Sequence, residues 1–165
     1  MKKKISLLLV ALMIIAFMPQ MTAQAKTVKA TKKSQEIQVD WEMVKLDSYL
    51  IEGKNFVKLR DIAAIMNGRF CQFNVGYDKE RNLVVVELMK AYEKLDGDLQ
   101  EIKENTATAI LAERSILIDG EEHKVRSAMI NGNNFIELRA LSELVNFGVD
   151  YNAETELVTL YTQKE

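Results

Sequence analysis

The chain has 165 residues, with 22 basic and 24 acidic side chains, one histidine, one cysteine and a formal net charge of −2. That balance argues against a sequence-independent nucleic-acid binder, which needs a basic surface, and it offers no polybasic patch for anionic lipid. One cysteine excludes an intramolecular disulfide, so packing alone must stabilise the fold.

Residues 1–25 read as an export signal. Lys2, Lys3 and Lys4 make a positive start, Ile5 to Met18 is uncharged and almost wholly apolar, and Ala23-Gln24-Ala25 offers small residues where a signal peptidase cuts. The alternative is an uncleaved anchor, but the apolar run is shorter than the ~20 residues a spanning helix needs. No cysteine follows to carry a lipid. Cleavage after Ala25 leaves 165 − 25 = 140 residues and 22 − 3 = 19 basic side chains against 24 acidic. The expected location is secreted or cell-surface associated, with no transmembrane segment in the mature chain.

Residues 26–35 are polar and lack an apolar period, which predicts a flexible leader with structure beginning near Glu36. Ile37, Val39, Met43, Val44 and Leu46 alternate around Asp40-Trp41, a hairpin pattern. A second hairpin turns at Gly53, between Tyr49-Leu50-Ile51 and Phe56-Val57. Leu59, Ile62, Ala63 and Met66 then lie on one helical stripe, closed by Asn67-Gly68. A last hairpin follows, with Phe73, Val75 and Tyr77 going out and Leu83 to Val86 returning. Between Leu88 and Arg114 a helical period through Leu88, Tyr92, Leu95, Leu99 and Ile102 is broken by Gly97, and Thr106 to Leu111 reads as strand.

The whole pattern then recurs. Asn55-Phe56-Val57-Lys58-Leu59-Arg60 is echoed by Asn134-Phe135-Ile136-Glu137-Leu138-Arg139, a shift of 134 − 55 = 79. The same shift carries Ile37 onto Ile116, Asp40 onto Asp119 and Gly53 onto Gly132. Trp41 falls where the second copy has Gly120, so the first turn must differ in type or carry an exposed tryptophan. The closing hairpins match at 147 − 73 = 74, so the first copy holds five extra residues, Gly68 to Gln72. The expected fold is α+β: two tandem modules, each an antiparallel sheet of hairpins packed on one short helix. They span 36–87 and 115–165, with a connecting segment at 88–114. Each is about 50 residues, a size at which burial is marginal, so the modules should share a sheet edge or pack through that segment.

Gly-x-Asn-Phe, then x-x-Leu-Arg-x-(Leu/Ile), then Phe-x-Val-x-Tyr-(Asp/Asn), in this order in both copies, resembles the copper amine oxidase N-terminal-domain-like family, also called stalk domains. The resemblance implies a small α+β module used outside the cell, without catalytic residues. It implies no copper chemistry, because that domain stands apart from the enzyme's metal and quinone centre.

The residues themselves argue the same way. A copper centre of that kind needs several imidazoles, and His123 is alone, predicted on an exposed strand. Cys71 and His123 lie in different copies and outside any recognisable nucleophile turn. No acid/base pair stands at a catalytic spacing, and no cofactor or metal is expected. Arg60 and Arg139 start the two helices, either as forked ligand clamps or as braces of their own modules. Tyr49, Tyr77, Tyr151, Tyr161 and Trp41 are either packing or a platform for sugar rings, with Trp41 and Tyr49 the best candidates for exposure because neither has an aromatic counterpart in the second copy. Possible ligand contacts are therefore Trp41, Tyr49, Arg60 and Arg139. The function expected is a non-catalytic exported binding or structural module at the cell envelope or outside the cell. Its partner would be cell-wall polymer or another exported protein. The alternative is a secreted regulator, inhibitor or chaperone-like, of a partner exported enzyme.

Overall fold

The structure, a computed structural model, describes residues 25–162. The expected export signal lies outside them, apart from Ala25. Ten strands and two helices follow in chain order. The first half holds β1 (Lys26–Val39), β2 (Glu42–Ile51), β3 (Lys54–Lys58), α1 (Leu59–Met66), β4 (Phe73–Asp78) and β5 (Leu83–Leu88). The second holds β6 (Thr106–Ile118), β7 (Glu121–Ile130), β8 (Asn133–Glu137), α2 (Leu138–Val145), β9 (Gly148–Asn152) and β10 (Leu157–Tyr161).

The turns follow from residue type. Glu52-Gly53, Asn131-Gly132 and Asp119-Gly120 all take positive φ, the conformation that matches the twist of two-residue hairpins. At the first turn Asp40 has positive φ and Trp41 does not, so this turn differs in type from its counterpart. Each helix is only eight residues, too short to persist alone, and is held by its buried stripe: Leu59, Ile62, Ala63 and Met66 in α1, and Leu138, Leu141 and Val145 in α2. Asn146 ends α2 in the left-handed region.

Two tandem modules do not form. The strands make one mixed sheet in the order β4-β5-β6-β7-β8-β3-β2-β1-β10-β9, and β6 also pairs with β1. That extra pairing closes β1, β2, β3, β8, β7 and β6 into a ring. The closing hairpins are exchanged. Hairpin β4–β5 lies parallel to β6, through Val84↔Ile116, and hairpin β9–β10 lies parallel to β1, through Ile37↔Val158. Each hairpin is also pinned by the first turn of the other repeat. Asp119 Oδ1 accepts the Leu88 N–H at 2.8 Å, and Asp40 Oδ1 accepts the Thr162 N–H at 2.9 Å.

The repeat survives as a pseudo-twofold axis. In β3–β8 Val57 pairs with Ile136, and in β1–β6 Lys29 pairs with Thr108. Both pairs join a residue to its own repeat mate, since 136 − 57 = 79 and 108 − 29 = 79. A twofold axis must pass between mates of this kind.

The ring encloses one core, with Tyr49, Ile51, Phe56, Ile130 and Phe135 around the small Ala30, Ala109 and Ala128. A larger core joins both helices and both closing hairpins to the other sheet face, through Ile37, Leu46, Val57, Ile62, Phe73, Ile136, Leu141, Phe147 and Leu160. Phe56 and Phe135 are equivalent and buried, as are Ile62 and Leu141. The phenylalanines and the helix residues, however, occupy different cores rather than stacking one below the other.

Three local expectations are also corrected. The leader is strand: Lys26 to Thr31 pairs with Leu111 to Thr106, partners that lie between 106 − 31 = 75 and 111 − 26 = 85 residues away, far beyond any local period. The helical period from Leu88 to Ile102 forms no helix. Residues 89–105 run as an irregular strap, while Thr106 onward is strand as read. Tyr49 is not exposed but 2% accessible, inside the ring.

Candidate functional site

The strap binds to the first repeat through the buried carboxylates Asp47 and Asp61 and through Lys58 and Asn67. The Leu99 N–H donates to Asp61 Oδ1 at 2.8 Å, the Ile102 N–H to Asp47 Oδ2 at 2.8 Å, and the Tyr92 N–H to Asn67 Oδ1 at 2.8 Å. Lys58 Nζ donates to the Gly97 carbonyl at 2.6 Å. Within the strap, the Tyr92 hydroxyl donates to Asp98 Oδ2 at 2.7 Å. Burial raises the Asp61 carboxyl above its ordinary range, against the Leu99 N–H and Lys58. Burial also opposes ionisation of Asp47, but Ser34, the Ile102 N–H and Lys32 outweigh it and hold that carboxyl low. Burial and the Asp98 carboxylate push the Tyr92 phenol up to about 12.

Two grooves related by the pseudo-twofold axis open on the sheet. Groove one lies between the start of α1 (Leu59, Arg60), the outer strand β4 (Val75, Gly76, Tyr77) and the hairpin of the other repeat (Gly132, Asn133, Asn134). Groove two repeats it with Leu138 and Arg139, then Val149, Asp150 and Tyr151, then Gly53, Lys54 and Asn55. Every one of these residues is a repeat mate, at a shift of 79 or 74. The grooves exist because each closing hairpin crosses to the other repeat and faces a β-turn that its own repeat does not supply.

They differ in contents. Groove one encloses about 190 Å³ and groove two about 460 Å³. A continuation of groove one is occupied by Arg114, whose guanidinium donates to Ser127 O at 3.1 Å, Ser127 Oγ at 3.0 Å and Ile110 O at 3.3 Å. The Tyr77 hydroxyl is taken by Asn82. On the side of groove two the mate of Arg114 is Gln35, which lies on β1 behind the groove rather than lining it, since Gln35 pairs with Leu46 and Arg114 with Val125, both at the shift of 79. Gln35 Oε1 and Asn55 Oδ1 are buried and have no hydrogen-bond partner. Donors stand nearby: Lys33 Nζ lies 5.9 Å from the centre of the Tyr151 ring, and Arg139 is exposed on the rim. Lys54 and Glu137 neutralise each other at 2.8 Å.

Of the residues singled out from sequence, Arg60 and Arg139 therefore reach equivalent grooves, Arg60 half-buried and Arg139 exposed. Trp41 stands elsewhere, 91% exposed at the tip of its turn. Tyr49 belongs to the ring core. Tyr77 and Tyr151 share the matched position on the two outer strands. Gln35 and Asn55 were not singled out as contacts. Asn55 carried a signal, because the asparagine recurs in both copies where a strand needs none. Gln35 carried a fainter one, as the polar mate of a basic residue. His123 is half-buried in β7 rather than fully exposed. Cys71 is buried, with Sγ 3.6 Å from Met66 Sδ, and burial pushes its thiol up to about 11. Among the described residues no three histidine, cysteine, aspartate or glutamate side chains group as metal ligands, and no helix is long and apolar enough to cross a membrane. Comparison with protein-family models, with curated proteins and with solved structures found no match.

Proposed function

We propose that this is a non-catalytic exported binding module that acts at the cell envelope or outside the cell and engages an extended polymer of the wall through its paired grooves. The observation that carries this reading is the pairing itself. Two concave sites of the same construction, each with a tyrosine, an arginine and an asparagine at matched positions, suit a ligand that repeats along its length. Support also comes from the export-signal pattern of residues 1–25 and from the likeness of the repeated motif to stalk domains. The acidic balance after signal removal argues against nucleic acid as the partner.

A second reading, a secreted regulator of another exported protein, is favoured by one feature of the first repeat. Trp41 and Phe70 are both exposed, and their chain neighbours are joined, Arg69 to Asp40 at 2.9 Å and to Glu42 at 2.5 Å. Neither aromatic residue has a counterpart in the second repeat, and exposed aromatic clusters are typical of protein contacts.

Retention on purified cell wall, set against retention on immobilised secreted proteins, separates the two. The expected result is retention on wall that is lost in the double variant Tyr77→Ala/Tyr151→Ala and kept in Trp41→Ala. The opposite pattern favours the regulator.

A further inference from the structure

We infer that, of the paired grooves, groove two is the subsite that holds a neutral, hydroxyl-rich ring, a pyranose unit of a glycan, and that groove one meets the same polymer without holding such a ring. This deepens the wall-polymer reading and rests on it.

A buried acceptor without a donor is costly, and such groups in native proteins call for an explanation. Gln35 Oε1 and Asn55 Oδ1 lie on one face of the sheet. Lys33, Gln35 and Ile37 alternate along β1 on that face, which runs from the groove into the core, and Asn55 lines the groove directly. The pseudo-twofold axis supplies an internal comparison. In the first groove the mate of Gln35 is Arg114, which fills its own continuation and bonds to Ser127 and Ile110. The continuation of groove one therefore carries a donor, Arg114, where its mate beside groove two, Gln35, leaves an unpaired acceptor.

The ligand of groove two must donate to Asn55 and accept from Lys33 and Arg139. A carboxylate or phosphate accepts only, and an ammonium donates only. A polyhydroxylated ring does both, and its apolar face suits the half-exposed Tyr151 and Leu50. A peptide backbone also donates and accepts, but it would dock by adding a strand to the outer strand β9. That edge is blunted: Asp150 stands on it, and its Oδ1 accepts the Tyr151 N–H at 2.8 Å. Groove two, at about 460 Å³, falls within the usual size of a small-ligand site.

The test applies the purified protein to an array of immobilised glycans covering hexoses, N-acetylhexosamines and uronic acids, and titrates the best free oligosaccharide by calorimetry. Saturable binding is expected. Tyr151→Ala and Asn55→Leu each weaken it about tenfold or more, the loss of one aromatic or hydrogen-bonding contact, and Tyr77→Ala leaves it within about twofold. Asn55→Leu should keep or raise the melting temperature, because it removes an orphaned acceptor, and this shows that lost binding is not lost folding. An array without signal overturns the inference. So does glycan binding untouched by Tyr151→Ala. A random hexapeptide library that yields ligands dependent on Tyr151 would replace the glycan with a peptide. An empty array with wall retention intact fails this inference alone, and loss of both fails the wall reading too.

Discussion

Phe135→Ala tests the ring core most directly. Phe135 is 4% exposed, and its ring meets Tyr49 edge to face, with centroids 5.3 Å apart and planes at 69°. Truncating a buried phenylalanine costs about 3–5 kcal/mol. The upper part of that range is expected here, because strands bonded on both sides cannot close over the hole and the neighbouring Ala109 and Ala128 are too small to fill it. About 0.5–1.5 kcal/mol of the loss belongs to the aromatic pair. Urea titration should be followed by far-UV circular dichroism, since the one tryptophan, Trp41, stands in solvent and reports poorly on the core. A double-mutant cycle on Phe135→Leu and Tyr49→Leu isolates the pair and should return a coupling of about 0.5–1.5 kcal/mol. Trp41→Ala serves as the control and should change stability by no more than about 0.5 kcal/mol. A Phe135→Ala cost below that of Trp41→Ala, or a coupling indistinguishable from zero, would refute this account of the ring.

Two further outcomes follow from the topology and from Cys71. The piece from Thr106 onward should show no cooperative melt alone, because β10 and β6 lose β1, β6 also loses β5, and β8 loses β3. A sharp melt at the temperature of the full chain, seen by circular dichroism, would mean that the exchange of hairpins is dispensable. Cys71 should resist a thiol reagent under native conditions near neutral pH and react once the chain is unfolded. Burial raises its pKa from 9.0 to about 11, so between those values the unfolded chain ionises first and stability falls as pH rises. Cys71→Ala should lose less stability than the native protein across that window in urea titrations, and equal losses would show that the thiol is not buried as described.

Local structure was legible in the sequence wherever a short-range rule governed it. Asn131-Gly132, Asp119-Gly120 and the stripe Leu59, Ile62, Ala63, Met66 each specify a turn or a helix by themselves, and the shift of 79, with 74 in the closing hairpins, located the equivalent pairs. What was not legible depends on partners remote in the chain. Lys26 to Thr31 has too few apolar residues to announce a strand, and it becomes one only because β6 supplies its ladder. The exchange of hairpins leaves no mark on periodicity either, since Val84 to Val86 would look the same beside β6 as beside a strand of its own repeat. The candidate site was half visible. Arg60, Arg139, Tyr77 and Tyr151 stood out because they recur, but a groove built from opposite repeats cannot be assembled until the exchange is known.

The exchange also explains why only one of the two repeats carries a strap. Strands β5 and β6 are parallel neighbours and consecutive in the chain, and such a connection needs a crossover of a dozen residues or more. Residues 89–105 supply it. Strands β10 and β1 are parallel neighbours too, but β1 precedes β10 by the length of the molecule, so no crossover joins them directly. Only one strap is therefore required, and it fastens to the first repeat, where it takes up Lys58, Asp61 and Asn67. The mates of Lys58 and Asn67 are Glu137 and Asn146, and among the described residues no second strap reaches them. Glu137 is left to pair with Lys54 on the rim of groove two. The grooves themselves differ through the side chains beside them: Arg114 fills the continuation of groove one, and its mate Gln35 leaves an unpaired acceptor next to groove two.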